Sequence, residues 1–337
     1  MIRIGVLCPS DIAFRRFLPS LKEATDFQYV GVAVASPEEW FCDDLGKVDE
    51  EKEKAERFVN AYSGKIFYGY ETMIRSSEVD AIYIPLPPAM HFEWAKKALL
   101  NGKHVLLEKP FATSLKETKL LLDIADKNNL AVHEDYMFVY HSQLEAINEI
   151  VCSGEIGDVR LYRISFGFPR RDKNDFRYNK NMGGGALLDA GGYTIKMAST
   201  LLGSNCKMVA ATANYIPDFE VDMYSSATMV NEDGVVAQLA FGMDNDYKCD
   251  LEIWGSKGTL TATRVMTAPT GFVPSCIIKK NQEFETRKLP ADDAFLKSIQ
   301  WFGKCINDNV VRKENYQKIE QQAVLVEEFK MVSVLKL

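Results

Sequence analysis

The sequence predicts an α/β protein of two domains. A doubly wound parallel sheet comes first, followed by an α/β domain built on an open, mostly antiparallel sheet. Three observations carry this. The amino-terminal part alternates short apolar runs with segments of helical periodicity. The later part carries successive strand-like runs without helices between them, which implies an antiparallel sheet with one solvated face. The length of 337 residues is long for a single core.

The strands expected of the first sheet are Ile2–Leu7, Tyr29–Ala35, Ala81–Pro85, Val105–Glu108 and Ala131–Glu134. Helices are expected over Ile12–Glu23, Glu51–Tyr62, Phe92–Leu100 and Leu115–Lys127. Right-handed crossovers put every strand's carboxyl end on one edge, and such sheets bind ligands there. The acidic run Asp49-Glu50-Glu51 with Glu53 reads as a solvated helix start. Next come a helix at Ser142–Cys152, a strand at Val159–Phe168 and a helix at Thr194–Leu202. Strands then follow at Cys206–Ile216, Tyr224–Val230, Val235–Phe241, Asp250–Trp254 and Cys276–Lys279. The last helices, Ala291–Ile306 and Tyr316–Val332, can pack back onto either domain. The domains divide as residues 1–124 and 125–337.

Composition excludes several classes. A net charge of -7 argues against a nucleic-acid partner, which requires a basic face. Seven cysteines stand singly with no C-x-x-C pair, so neither a disulfide framework nor a structural metal site is expected. The chain enters a strand directly from Met1, and no apolar stretch is long enough to span a membrane. A soluble, cytoplasmic protein with a small-molecule partner is the expectation.

Glu108-Lys109-Pro110 closes the apolar run Val105-Leu106-Leu107 and so places a lysine at the sheet's carboxyl edge. A cation there can hold a reacting carbonyl or shift a neighbouring acid; a surface lysine after a strand is the plain alternative. The first strand runs into Cys8-Pro9-Ser10-Asp11-Ile12-Ala13, the place of a G-x-G-x-x-G/A dinucleotide turn. Only Ala13 satisfies that pattern. Ser10 can offer a hydroxyl, and the helix amino terminus offers amides to a pyrophosphate. At the end of the second strand, neutral Ser36 together with Arg15 and Arg16 tips the balance to NADP, against Glu38 and Glu39. Pro85-Leu86-Pro87-Pro88 holds an extended loop against which a planar cofactor can lie, and His91 reads as a structural residue rather than a base. Gly183-Gly184-Gly185 through Gly191-Gly192-Tyr193 opens a helix on which Asp189 and Tyr193, four apart, share a face. A phenol and a carboxylate so placed suit proton transfer at a sugar hydroxyl, or simply cap and pack a helix start.

Four segments together resemble the glucose–fructose oxidoreductase / inositol dehydrogenase (Gfo/Idh/MocA) family over nearly the whole chain. They are Pro85-Leu86-Pro87, the run Gly102 to Pro110 (G-K-H-V-L-L-E-K-P), the run Gly183 to Tyr193, and Ile253-Trp254-Gly255-Ser256-Lys257-Gly258. Tyrosine at position 193 is similar to the branch of glucose–fructose oxidoreductase, dihydrodiol dehydrogenases and nucleotide-sugar ketoreductases. The resemblance implies a Rossmann domain, a nicotinamide cofactor (NAD(P)), a sugar or nucleotide-sugar substrate, and dimers or tetramers built through the second sheet. It implies that Lys109, Tyr193 and Asp189 are the catalytic residues, with Asp189 binding or orienting substrate. It places Ser10, Asp11, Ile12, Ser36, Pro85, Leu86, His91, Glu108 and Lys109 along the cofactor.

Tyr136, Tyr162, Arg163, Arg170, Arg171 and Arg177 are candidates for the substrate side, Arg177 foremost. The chain departs from the family at Cys8, Ser10 and Pro88, at Val139-Tyr140-His141-Ser142, and in the added length Trp40–Val48. The leading reading is an NAD(P)-dependent oxidoreductase acting on a sugar. A non-catalytic binding protein, and an enzyme that recycles a tightly held cofactor, stand beside it.

Overall fold

The computed structural model of the protein describes residues 1–39 and 46–336, so most of the added length Trp40–Val48 lies outside the described residues. It divides into two compact units, Met1–Asp135 with Phe295–Glu320, and Tyr136–Ala294 with the chain from Gln321 onward.

In the first unit, six parallel strands line up as β3-β2-β1-β4-β5-β6. They are β1 (Ile2–Leu7), β2 (Phe27–Val34), β3 (Lys65–Tyr68), β4 (Ala81–Ile84), β5 (His104–Leu107) and β6 (Val132–Glu134). The order reverses between β1 and β4, and a crevice at that switch point is the ligand site of such sheets. The helices are α1 (Leu18–Glu23), α2 (Gly46–Tyr62), α3 (Tyr70–Arg75), α4 (Pro88–Leu100) and α5 (Leu115–Lys127). β4 is buried throughout, as expected of a central strand covered on both faces. α5 starts where Ser114 accepts the Glu117 amide at 3.3 Å, and it buries Thr118, Leu121, Leu122 and Ala125. β3 and α3 were not foreseen: β3 is an edge strand that buries Phe67 alone and leaves no alternation to read.

The predicted domain boundary at residue 124 falls inside α5, and the first unit runs on to Asp135 because β6 pairs with β5. Most of α8 (Ala294–Asn307) and the first half of α9 (Asn309–Val332) also belong to this unit. Asn315 Nδ2 donates to the Val132 carbonyl at 2.7 Å, Arg312 donates to the Asn129 carbonyl at 2.9 Å, and Phe302 stacks on Phe27.

The second unit is a nine-stranded sheet in the order β14-β13-β12-β11-β7-β10-β9-β8-β15. Its strands are β7 (Val159–Gly167), β8 (Lys207–Asn214), β9 (Tyr224–Val230), β10 (Val236–Gly242), β11 (Lys248–Gly255), β12 (Thr259–Thr263), β13 (Ser275–Lys280), β14 (Glu283–Lys288) and β15 (Ser333–Lys336). The β7–β10 and β8–β15 pairs are parallel and the others antiparallel. In β11, Cys249, Leu251 and Ile253 are buried while Trp254 is half exposed, so one face packs and the other meets solvent. The packed face carries α7 (Gly192–Leu202), and α6 (Ser142–Cys152) precedes the sheet. β12 and β14 went unread because threonine- and charge-rich segments carry little apolar signal, and β15 because it is only four residues long.

Candidate active site

The turn after β1 carries a non-glycine residue in a glycine-like conformation. Cys8 has φ 108°, a conformation that glycine adopts freely and other residues rarely. Its Sγ donates to Glu51 Oε1 at 3.3 Å. The same carboxylate accepts from the Tyr70 hydroxyl at 3.1 Å and the Ala35 amide at 2.9 Å. Glu51 is thus buried, against the expectation of a solvated helix start. Burial pushes its carboxyl up, and pushes the Cys8 thiol up as well, with Glu51 adding to the latter shift. Ser10 uses its hydroxyl to accept the Ala13 amide at 3.2 Å. Asp11 is exposed and Ile12 half-buried as the chain enters a π-helical turn, Ala13–Phe17, that continues into α1.

At the carboxyl end of β2 lies a cleft of about 550 Å³, lined by Ser36, Glu38, Glu39, Glu71, Glu93 and Lys97 with Ala89, Met90 and Trp94. Ser36 donates its amide to Glu39 at 2.9 Å and its hydroxyl to Glu38 at 2.8 Å. Glu39 also accepts the amides of Tyr70 and Glu71, at 2.7 and 2.9 Å, and so caps α3.

Lys109 lies two residues beyond β5, half-buried at the carboxyl edge, and its bond to Pro110 is cis. The turn is fixed on three sides. Tyr83 donates to Glu108 Oε1 at 2.6 Å, the Phe111 amide donates to Glu134 Oε1 at 2.8 Å, and His91 Nδ1 contacts the Pro110 carbonyl at 2.7 Å. The other nitrogen of His91 contacts the Leu86 carbonyl at 2.7 Å. Fully buried, with its ring nitrogens at two backbone carbonyls, His91 supports the Leu86 loop and the lysine turn from behind. Burial lowers its pKa to about 4. Pro85 and Leu86 are buried too, so the extended loop presents mainly backbone.

Below Glu108, Asp135 accepts from Ser298 at 2.6 Å, and Ser298 contacts His133 at 2.9 Å. Burial pushes the Asp135 carboxyl up, and the charge of Glu108 adds to the shift. Sequence reasoning missed this support because its members come from β6 and α8, far apart in the chain.

In the second unit the helix bearing Asp189 and Tyr193 begins with a π-helical turn, Leu187–Gly191, before α7. Such wide turns recur at functional sites. A Cβ on Gly191 would meet the Phe241 ring at 2.7 Å, and one on Gly192 would meet the Tyr136 hydroxyl at 2.1 Å, so both positions demand glycine. The Tyr193 ring is held edge-on by Tyr136 and Phe166, with centroids at 5.3 and 5.1 Å, and leans on Phe138 at 5.7 Å. Three aromatic neighbours fix the phenol's direction with little rotamer freedom left. The half-buried Asp222 carboxylate accepts the Leu187 amide at 2.8 Å at the head of this segment, and desolvation raises its pKa to about 6.

Asp189 accepts from Arg177 Nε at 2.6 Å, and the same guanidinium reaches Asp175 at 3.1 Å. Arg177 therefore holds Asp189 and Asp175 together. The other arginines are engaged similarly: Arg170 makes a two-point contact with Asp244, and Arg163 pairs with Glu252 on the open sheet face. Arg171 is exposed over the Phe168 ring, while Tyr136 and Tyr162 are buried.

Comparison with known proteins agrees with this architecture. Residues 16–136 match the family model described as an oxidoreductase family with an NAD-binding Rossmann fold, and residues 144–261 match the GFO/IDH/MocA C-terminal domain. A dTDP-3,4-didehydro-2,6-dideoxy-alpha-D-glucose 3-reductase from Saccharopolyspora spinosa is 33% identical over 97% of this chain and 96% of its own length. A 3-ketoreductase from Actinomadura kijaniata, solved in complex with NADP and TDP-benzene, superposes with a TM-score of 0.91 at 34% identity, covering 99% of this chain and 98% of that one. Further structures of that ketoreductase carry phenylalanine in place of a tyrosine (TM-score 0.91, 33% identity) and alanine in place of a lysine (TM-score 0.87, 32% identity), each covering the same shares of the two chains. No helix among the described residues is long and apolar enough to cross a membrane. With both of its parts matched in order, the chain belongs to the GFO/IDH/MocA family of oxidoreductases, whose amino-terminal domain is an NAD-binding Rossmann fold.

Proposed function

We propose that this protein moves a hydride between a nicotinamide dinucleotide, NAD(P), and a secondary alcohol or ketone on the ring of a nucleotide-linked sugar. One observation carries the reading: the lysine and the tyrosine replaced in the ketoreductase structures stand as far apart in that chain as Lys109 and Tyr193 do here. The residues present fit a dinucleotide. Cys8 holds a glycine-like turn ahead of a helix amino terminus, and a cleft opens at the end of β2. Ser10, Asp11 and Ile12 would meet the pyrophosphate, Ser36 the adenosine ribose, and Pro85, Leu86 and Glu108 the remainder.

A bound reduced nicotinamide supplies the hydride. Tyr193 gives its phenolic proton to the carbonyl oxygen as that oxygen becomes a hydroxyl, and takes it back in the oxidative direction. The Lys109 ammonium would offset the charge developing on that oxygen. Asp189, pinned by Arg177, orients substrate hydroxyls. Lys109→Ala and Tyr193→Phe should each lower turnover of a dTDP-linked keto sugar by about 10²–10⁴ while dinucleotide binding persists. Wild-type turnover in both variants would remove the two residues from the mechanism.

We also propose assembly into dimers or tetramers through the open face of the second sheet, which exposes Val209, Tyr224, Trp254 and Ile277. Sedimentation showing a monomer would end that part. The six described cysteines are free, which suits a cytoplasmic location.

A further inference from the structure

The cleft at the carboxyl end of β2 is where the adenosine ribose of a dinucleotide falls in a doubly wound sheet. Among its described lining residues, Glu38, Glu39, Glu71 and Glu93 face a single cation, Lys97. Lys97 is committed to the walls, with Nζ at 3.1 Å from Glu71 and 3.0 Å from Glu93. The two donors at the strand end are committed as well, since the amide and hydroxyl of Ser36 both go to carboxylates. Glu39 cannot swing away cheaply, because its oxygens also accept the first two amides of α3. Glu38 is exposed, and hydrogen bonds from its own backbone and from Ser36 keep its carboxyl below the usual range, hence charged at neutral pH.

The two cofactors differ only at this ribose, and their demands are opposite. A 2′-phosphate brings negative charge and requires donors or cations. A ribose diol brings two donors and requires acceptors. Resting on the dinucleotide reading above, we propose that Glu38 and Glu39 make this protein select NADH over NADPH, with Glu38 accepting from the ribose diol. Its selectivity then differs from what the NADP held by the Actinomadura ketoreductase would suggest. Arg15 and Arg16 lie on the π-helical turn after β1 and are not among the described lining residues.

The test is a titration of the intact protein with NADH and with NADPH, followed by nicotinamide fluorescence, and repeated on Glu38→Gln and Glu38→Lys. Circular dichroism checks that each variant is folded. Removing one charge repulsion near a phosphate is worth about tenfold in Kd. NADH should bind wild type at least about tenfold tighter than NADPH, with the ratio narrowing as salt is raised. Glu38→Gln should narrow the ratio and Glu38→Lys should abolish or reverse it. NADPH binding wild type as tightly as NADH overturns the proposal and leaves the dinucleotide reading standing. An unchanged ratio in Glu38→Lys overturns the assignment to Glu38. Failure of both cofactors to bind folded wild type sinks the dinucleotide reading itself, and the selectivity with it.

Discussion

Arg177 Nε donates to Asp189 Oδ2 at 2.6 Å, tying the 3-10 turn Phe176–Tyr178 to the π-helical turn that leads to Tyr193, with side chains only 20% and 14% exposed. Burial alone would lower the Arg177 pKa, but Asp189 and Asp175 raise it, so the guanidinium remains charged. Asp189 is therefore a carboxylate that Arg177 helps to hold in place.

Arg177→Met keeps the apolar stem and removes the charge. It should leave the Asp189 carboxylate without that partner and destabilise the fold by about 2 kcal/mol, below the range for a fully buried pair because some solvent reaches both groups. Urea unfolding of wild type and variant measures this. A midpoint unchanged within error would show that the pair adds nothing net.

Cys8 holds a glycine-like backbone at φ 108°, a strain of about 1–3 kcal/mol. Cys8→Gly relieves that strain, while losing the bond to Glu51 and adding freedom to the unfolded chain. The result should lie within about 1 kcal/mol of wild type. Cys8→Val keeps the strain and adds a β-branch, and should cost about 2 kcal/mol. Equal tolerance of the two substitutions in thermal melts would contradict the backbone assignment.

Two opposing slopes should shape stability against pH. Asp222 titrates at about 6 in the folded protein, above an unfolded carboxyl of about 3.9, so the folded state binds the extra proton between these values. Its contribution is fully present below the lower value and is lost as pH rises to 6. His104 titrates at about 4, below the unfolded value of about 6.5. Burial holds it neutral, so its contribution is present above 6.5 and is lost on acidification towards 4. Subtracting the unfolding free energies of Asp222→Asn from those of wild type isolates the first slope. That difference should change by roughly 2–3 kcal/mol between pH 4 and pH 7, to the disadvantage of wild type at the higher pH. A flat difference would mean that Asp222 is not held as described.

The sequence by itself determined the class of both units, the parallel sheet and the mainly antiparallel one, and most of their elements, though not β3, α3, β12, β14 or β15. Those properties follow from hydrophobic periodicity, which each segment carries locally. Lys109 at a strand's carboxyl edge was legible for the same reason: an apolar run stopped by a charged pair and a proline. The glycines before Tyr193 were legible as unusual, but their necessity was not, because Phe241 and the Tyr136 hydroxyl that exclude a Cβ come from distant segments. Tertiary structure alone decided the roles of charged and polar side chains. Glu51 lies in a helix start that reads as solvated yet is buried under Cys8, Tyr70 and Ala35, and Arg177 holds Asp189 and Asp175 together. His91 lies between two backbone carbonyls, and Ser36 gives its donors to glutamates. The physical reason is common to all four. A polar group's role is set by the partners that satisfy it, and those partners are brought to it by the fold, from positions that no local pattern in the chain connects.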